Sequence, residues 1–265
     1  MGGVWIYGSS SRHHSPVTKM VTLMPGKPPS VPPLLLHLTR NLDDLASILR
    51  GGKVEARNAF GALHDHSTLA TGQHVVCLSE LGLEHVEELA SGRHTPVGIG
   101  LHRAWAADQG AAPVWYLPRE TPVQQHVFNL VKRLAYEREP DPDHPLWQLT
   151  PFIDYPQEGG TYDFRWEREW RVRGDLRFDP LADIAVLFAP EREHDAMRET
   201  WVWDALDFPR GPVPPLIDPA WELERKIQVL RDGPQDYDSE GDTDPTPKPE
   251  HDVHDDHDWD CCTIG

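Results

Sequence analysis

The chain has 265 residues and carries 25 Lys and Arg against 43 Asp and Glu, a formal net charge of -18 at pH 7. This balance excludes the electrostatic footprint of a tight, nonspecific duplex-binding protein, although a local basic cleft remains compatible with it. A hydrophobic content of 38% is low for a globular chain of this length, so we expect part of the chain to stay outside the core.

The two ends supply the residues expected outside the core. Residues 1–33 mix Gly, Ser, Pro and His with few large apolar side chains, which predicts a disordered N-terminal arm. Residues 232–265 hold twelve Asp and Glu and one Lys, which predicts a disordered acidic tail of net charge -11. The tail is suited to keep the protein soluble, to bind a partner or to imitate nucleic-acid charge, and its sequence does not choose among these. A single α+β domain is expected over 34–231.

Cysteine use and hydropathy indicate the compartment. Cys77, Cys261 and Cys262 do not make a disulfide framework, which favours a reducing cytosol. No segment approaches the run of about eighteen apolar residues that a membrane span needs, so we expect a cytoplasmic protein with no membrane partner. His and Asp residues at 251–257 are metal-ligand types, but they lack the apolar support of a folded site and no metal is expected.

In the first half of the domain, short predicted strands are followed by helices with recognisable start and stop signals. Residues 34–38 predict a buried strand, followed by a helix that Asn41 caps and Gly51-Gly52 ends. A polar loop is expected over 53–73. Residues 75–78 predict a second strand, and Ser79 is suited to cap the helix that follows.

The second half continues the mixture of helix and strand. Further strands are predicted at 97–101, 113–117 and 184–188, and helices around Trp105, from Thr121-Pro122, over 191–206 and from Asp218-Pro219. Gly98 and Gly100 lie on one strand face and leave room for a close neighbour. The helix after Thr121 is expected to bury a stripe made by Val123, Val127, Leu130, Val131 and Leu134.

The run from Tyr162 to Val172 alternates charged and aromatic residues. Read as a strand, it places Glu167, Glu169 and Arg171 on one face, with Trp166, Arg168, Trp170 and Val172 on the other. Two carboxylates walled by tryptophans are a candidate catalytic edge, since such walls raise a carboxyl pKa or stack on a flat ligand. The alternative is an edge strand protected by charge, with arginines pairing with the glutamates.

Two further groups carry candidate chemistry. On a strand, His37 and Thr39 lie on the same face and together offer donors and acceptors to a ribose or an amide, although a structural histidine is the alternative. Ser79, at the end of the Cys77-Leu78-Ser79-Glu80 strand segment, is either a site residue or a helix cap.

Taken in order, these motifs resemble bacterial abortive-infection proteins of the AbiGi-like group. The resemblance rests on His37-Leu38-Thr39, Cys77-Leu78-Ser79-Glu80, Val97-Gly98-Ile99-Gly100, Pro113-Val114-Trp115-Tyr116-Leu117 and Glu167-Arg168-Glu169-Trp170-Arg171. It covers residues 34–190 and omits both ends. The layout in turn resembles the ADP-ribosyltransferase fold, including DNA-modifying toxins of the DarT type, and so implies a mixed or antiparallel sheet with flanking helices.

The second resemblance implies an NAD-dependent enzyme that modifies a nucleic acid or a protein. His37 and Thr39 would bind NAD, and Ser79 would line the nicotinamide pocket. Glu169 would be the catalytic carboxylate and Glu167 would orient the acceptor. A carboxylate beside the ribose stabilises the oxocarbenium-like centre that forms when the nicotinamide bond breaks.

The first resemblance implies a different class of function as the alternative. The AbiGi group is described as the antitoxin half of an abortive-infection pair. A non-enzymatic antitoxin or regulatory component would bind a cognate toxin protein, and its glutamate and arginine residues would serve structure or an interface. The sequence does not identify the acceptor or the oligomeric state.

Overall fold

The computed structural model describes residues 31–136, 141, 143–155, 164–198 and 212–236. All the elements below belong to one unit that begins at Pro32. The predicted arm lies outside the described residues except for 31–33, and the predicted tail except for 232–236. The predicted helix over 191–206 is described as far as residue 198.

Short strands dominate the described residues. They are β1 (Leu34–Thr39), β2 (Lys53–Val54), β3 (Asn58–Ala59), β4 (His74–Ser79), β5 (Val97–His102), β6 (Ala112–Pro113), β7 (Trp115–Tyr116), β8 (Ile153–Asp154), β9 (Glu169–Arg173), β10 (Leu176–Arg177), β11 (Ile184–Phe188), β12 (Pro212–Val213), β13 (Leu216–Ile217) and β14 (Gln235–Asp236).

Helices and single helical turns connect these strands. The helices are α1 (Leu42–Gly51), α2 (Val86–Arg93), α3 (Arg103–Asp108), α4 (Pro122–Ala135), α5 (His194–Ala196) and α6 (Leu223–Asp232). Short 3-10 turns lie at Ala70–Gln73, Leu83–His85, Pro145–Gln148, Thr150–Phe152, Phe164–Glu167 and Glu191–Glu193.

The main sheet has the strand order β13-β11-β5-β1-β4-β9-β6, with β3 added beside β4. Every pairing in it is antiparallel except that of β11 with β13. The expected α+β class with a mostly antiparallel sheet is therefore confirmed.

Local capping chemistry explains where the two clearest helices begin. The Asn41 side chain accepts a hydrogen bond from the backbone of Asp44 at 2.8 Å, and Gly52 ends α1 in the left-handed conformation at φ 55°. Thr121 caps α4 in the same way through Gln124, with Pro122 in the first turn. These predictions from sequence are confirmed.

One face of the sheet supplies the main hydrophobic core. Leu35, Val76, Leu78, Ile99 and Leu101 belong to this core, together with Leu45 and Leu49 of α1 and Ala106 of α3. In the pairing of β1 with β5, Leu35 lies opposite Leu101 and His37 opposite Ile99, so the odd-numbered residues of β1 lie on the core face. The even-numbered residues of β1 lie on the other face, which carries the polar groups described below.

The close approach expected at Gly98 and Gly100 is confirmed. A Cβ at Gly98 would collide with the backbone carbonyl of His37, and one at Gly100 would lie 2.5 Å from Cγ1 of Val186. Backbone and core side chains of neighbouring strands fill the room that these glycines leave.

Several predicted elements differ in the structure. The segment 113–117 is split, because β6 pairs with β9 whereas β7 pairs with β8. Residues 53–73 contain β2 and β3 and are not one long loop. The last helix begins at Leu223, five residues after Asp218. In α4, Phe128, Val131 and Ala135 are buried, whereas Val123 and Leu130 of the predicted stripe are exposed.

Candidate functional site

The centre of the candidate site is a buried ion pair on β9. Glu169 and Arg171 are two residues apart on one strand, so their side chains share a face. They are only 8% and 2% exposed. Arg171 Nε donates to Glu169 Oε1 at 2.8 Å, and its Nη2 donates to Oε2 at 3.2 Å. The two-point geometry fixes both side chains in the strong, planar form of the arginine–carboxylate pair.

The remaining donors of Arg171 bind the loop that carries β8. Nη1 donates to the carbonyl of Pro151 at 2.6 Å, and Nη2 donates to Asp154 Oδ2 at 3.0 Å. The ring of Phe60 lies over the guanidinium, 4.9 Å from its carbon to the ring centroid. Arg171 is therefore the hub of this part of the fold, since it joins β9 to the 150–154 segment.

Glu169 also accepts hydrogen bonds from neighbouring strands. The phenol of Tyr116 donates to Oε2, and the thiol of Cys77 donates to the same carboxylate. Burial alone would raise the pKa of Glu169, but the charge of Arg171 and these hydrogen bonds outweigh burial and hold that pKa below its ordinary value. Burial and the adjacent carboxylate raise the pKa of both Tyr116 and Cys77. Glu169 is therefore ionised near neutral pH, and the phenol and thiol keep their protons.

Glu167 forms a second centre with Ser79 and Arg93. It is fully buried, at 0% exposure. Its Oε2 accepts from the Ser79 hydroxyl at 2.5 Å and also from Arg93 Nη2. Its Oε1 accepts from Arg93 Nε at 2.9 Å. The structure thus brings together Ser79, which sits opposite Glu169 in the β4–β9 register, and both predicted glutamates.

The interpretation of the whole run as one strand is wrong for Glu167. Residues 164–167 form a 3-10 turn, and Arg168 follows in the left-handed conformation at φ 49°. The period-two alternation begins only at Glu169, so the two glutamates reach the same region by different routes. The capping interpretation of Ser79 is also wrong, because its hydroxyl donates to Glu167 and α2 begins later with no side-chain cap.

In the alternative of an edge strand protected by charge, the edge position is wrong. β9 pairs with β4 on one side and β6 on the other. Its charged pair points into the protein, whereas Arg168 is exposed and pairs with Glu80. The expected glutamate–arginine pairing does occur, within the core, between Glu169 and Arg171.

A third buried carboxylate, Glu80, lies next to Ser79 in sequence. Arg103 Nη1 donates to its Oε1 at 2.6 Å, and Trp170 Nε1 donates to its Oε2 at 2.9 Å. We call the set of Glu80, Glu167 and Glu169 with Arg93, Arg103 and Arg171 the glutamate–arginine network. It fastens β4 and β9 to α2, α3 and the 150–154 segment.

His37 and Thr39 are not brought together with Ser79 and Glu169. Leu36 faces Ser79 across β1 and β4, whereas His37 and Thr39 face Ile99 and Val97 across β1 and β5. Strand alternation therefore places His37 and Thr39 on the opposite sheet face from Ser79 and Glu169. His37 Nδ1 lies 3.1 Å from the carbonyl of Cys77, to which it donates. Burial is the main cause that lowers the pKa of His37, so its ring is neutral.

The arrangement can hold charge but offers little exposed chemistry. Each oxygen of Glu167 and Glu169 already accepts at least one hydrogen bond from a protein group. Among the described residues, His, Cys, Asp and Glu side chains are nowhere grouped in the manner of a metal site. The tail segment 251–262 with its His and Cys residues lies outside that range.

Sequence reasoning missed Arg93, Asp154 and the role of Glu80. Arg93 lies in the last turn of α2, where a basic residue is ordinarily explained by the helix dipole. The sequence did offer one signal, which is the number of charged residues around strands β4 and β9. Because a buried carboxylate needs a cationic partner, each glutamate in the run predicts a cationic side chain beside it.

Comparison with known proteins identifies the family. Residues 47–184, just over half of the 265 in the chain, match the family model described as "Putative abortive phage resistance protein AbiGi, antitoxin". No curated protein and no solved structure matches the chain. No helix within the described ranges has both the length and the apolar character to cross a membrane. The matched range spans α1 to the start of β11 and contains the whole glutamate–arginine network, and the chain belongs to the AbiGi family of abortive phage resistance proteins.

Proposed function

We propose that this protein acts in the cytoplasm as the antitoxin of an abortive-infection pair and works by binding its cognate toxin protein. The family description as an antitoxin supports this role. In the proposal, the glutamate–arginine network is the structural centre that keeps the binding surface in shape.

The observation that carries the choice of a binding protein over an enzyme is the state of Glu169. A carboxylate that stabilises a reacting ribose must contact it, yet both oxygens of Glu169 are held by Arg171 and Tyr116 in a site that is 8% exposed. Freeing Glu169 would leave the Arg171 charge partly unpaired inside the protein. Removing one partner of such a buried pair costs about 3–5 kcal/mol.

An NAD-dependent ADP-ribosyltransferase remains the second candidate, because Ser79 and Glu169 are direct neighbours across β4 and β9. In that candidate, Ser79 would line the nicotinamide pocket, Glu169 would act on the ribose, and Glu167 would orient a nucleic-acid or protein acceptor. His37 and Thr39 would have to bind NAD from the other face of the sheet, which weighs against it.

The first experiment tests neutralisation. Each protein encoded by a neighbouring gene is expressed alone, and one that arrests growth is taken as the candidate toxin and co-expressed with this protein or with an empty vector. The proposal expects growth to recover and the two purified proteins to form a complex. Continued arrest, or recovery with no complex formed, contradicts it.

A second experiment tests the enzyme alternative. The purified protein is incubated with NAD labelled in the adenylate portion, with cell extract as a source of acceptors, and Glu169→Gln serves as the control. We expect no incorporation above background. Incorporation that disappears in a folded Glu169→Gln variant would establish the transferase and overturn the proposed role of the network.

A further inference from the structure

Helix α4 has an apolar face that the described core does not fully cover. Val123, Val127, Leu130 and Leu134 recur at spacings of three and four and so lie along one side of the helix. Val127 and Leu134 are half-buried against two small clusters, but Val123 and Leu130 are 53% and 42% exposed. Exposed leucine and valine in line on one helix face indicate a docking surface.

The same helix differs in charge from the rest of the protein. Pro122–Ala135 contains Lys132, Arg133 and His126 and has neither Asp nor Glu, in a chain with a net charge of -18. His126 and Arg133 are seven residues apart, so they form a row beside the apolar stripe. We call the apolar stripe with this basic row the α4 face. Its chemistry fits a segment that combines apolar side chains with carboxylates.

The chain itself contains such a segment. Residues 250–260 carry Val253 and Trp259 among six Asp and Glu, with Asp258 and Asp260 on either side of the tryptophan. The apolar ring of Trp259 can pack on the exposed Leu130, while the aspartates on either side of it carry the charge opposite to that of the basic row.

Length does not prevent this contact. Twenty-nine residues follow Asp236, the last residue described, and at about 3.3 Å per residue they reach up to roughly 95 Å. A globule of about 200 residues has a radius of gyration of only roughly 16 Å. A tethered segment is also present at an effective concentration of about millimolar, so even weak binding would keep it on the surface.

We propose that the acidic segment 250–260 docks on the α4 face, with Trp259 against Leu130 and Val123 and the aspartates beside His126 and Arg133. Docking would bury the exposed apolar stripe of α4. This proposal needs no partner protein and stands independently of the antitoxin role.

The test uses the full chain with a nitroxide spin label on Cys261 and Cys262. These thiols label selectively because burial raises the pKa of the third cysteine, Cys77. The measurement is the loss of methyl NMR intensity caused by the label. We expect Val123 and Leu130 to lose most of their methyl intensity, whereas Leu42 and Ile48 on α1 keep theirs. In 1 M salt, where the Debye length is about 3 Å, the loss should largely disappear.

Matched variants separate docking from general attraction. His126→Glu with Arg133→Glu should restore the α4 methyl intensities, whereas Arg57→Glu with Arg192→Glu, at exposed positions on other elements, should not. Because the first pair of changes can disturb the helix, Trp259→Ala with Asp258→Asn and Asp260→Asn makes the same test from the tail side.

Intensity loss that is absent, or spread evenly over the surface, would overturn the proposal. A loss that survives both the changes at His126 and Arg133 and the changes around Trp259 would overturn it as well. If the α4 methyls respond only when the cognate toxin is added, the face belongs to the partner protein and the docked tail is rejected.

Discussion

Glu169→Gln is the change that most sharply probes the network. It keeps the size of the side chain and removes one negative charge from a site where Glu169 is 8% and Arg171 is 2% exposed. Arg171 retains Asp154 and the Pro151 carbonyl but loses its two-point carboxylate partner. An amide can accept only at its oxygen, so one donor of Arg171 then faces an NH2 group.

The expected cost follows from these contacts. Breaking a buried pair by removing one partner costs about 3–5 kcal/mol, and we expect the lower end, about 3 kcal/mol, because Asp154 still neutralises part of the charge. For a domain of 150–250 residues each kcal/mol lowers Tm by about 2–4 °C, so Tm should fall by roughly 6–12 °C.

Urea unfolding followed by tryptophan fluorescence and far-UV circular dichroism measures this cost. The matched control is Glu191→Gln, which makes the same chemical change in the exposed pair of Glu191 with Arg225 and should cost no more than about 1 kcal/mol. If Glu169→Gln costs as little as this control, the network is not the structural centre and the reasoning is refuted.

The same variant has a defined pH dependence. The folded-state pKa of Glu169 lies below its ordinary value of 4.5. Its contribution to stability is therefore fully present above pH 4.5 and is lost as the pH falls through the lowered folded-state pKa. The difference in unfolding free energy between wild type and Glu169→Gln should be constant near neutral pH and shrink in acid. A difference that grows in acid would contradict the assignment.

Three further predictions concern the fold. Gly98→Ala should destabilise the protein by about 3 kcal/mol and more than Gly100→Ala in urea unfolding, because backbone atoms block the Cβ at position 98 whereas side chains block the Cβ at position 100; equal costs would contradict this. Asn41→Ala should cost about 1 kcal/mol in the same assay through loss of the α1 cap; no change would mean that the cap is dispensable. Lys226→Met should raise the unfolding free energy at pH 7, because Lys226 is buried and its pKa lowered mainly by burial. The wild-type protein should gain stability relative to this variant as the pH rises from the lowered folded-state pKa of Lys226 to its ordinary value of 10.5. Unfolding free energies of the two proteins that change in parallel with pH would refute the assignment.

Sequence was sufficient where structure is decided locally. The caps at Asn41 and Thr121 depend on side chains and amides three residues apart, so their residue types alone predict where α1 and α4 begin. The mixed α+β class follows from the same local signals, because short apolar runs that predict strands are separated by capped helices.

Sequence was insufficient where distant residues decide. The burial of Glu167 depends on Arg93, 74 positions earlier, and no period in the run reveals that pairing. A non-glycine residue in the left-handed region, Arg168, breaks the strand alternation without a sequence signal. The face on which His37 lies depends on the register of β1 with both of its neighbours, which is a property of the assembled sheet.

The most direct test of the central claim is toxin neutralisation by Glu169→Leu combined with Arg171→Met. Replacing both members of a buried pair by apolar residues of similar size is often neutral for stability, and the Asp154 carboxylate that loses Arg171 is 20% exposed to water. The variant should therefore fold while lacking the carboxylate that an enzyme would need. The account predicts that the folded double variant binds and neutralises the cognate toxin as wild type does. A folded double variant that no longer neutralises the toxin, together with NAD-derived label transfer that requires Glu169, would contradict it.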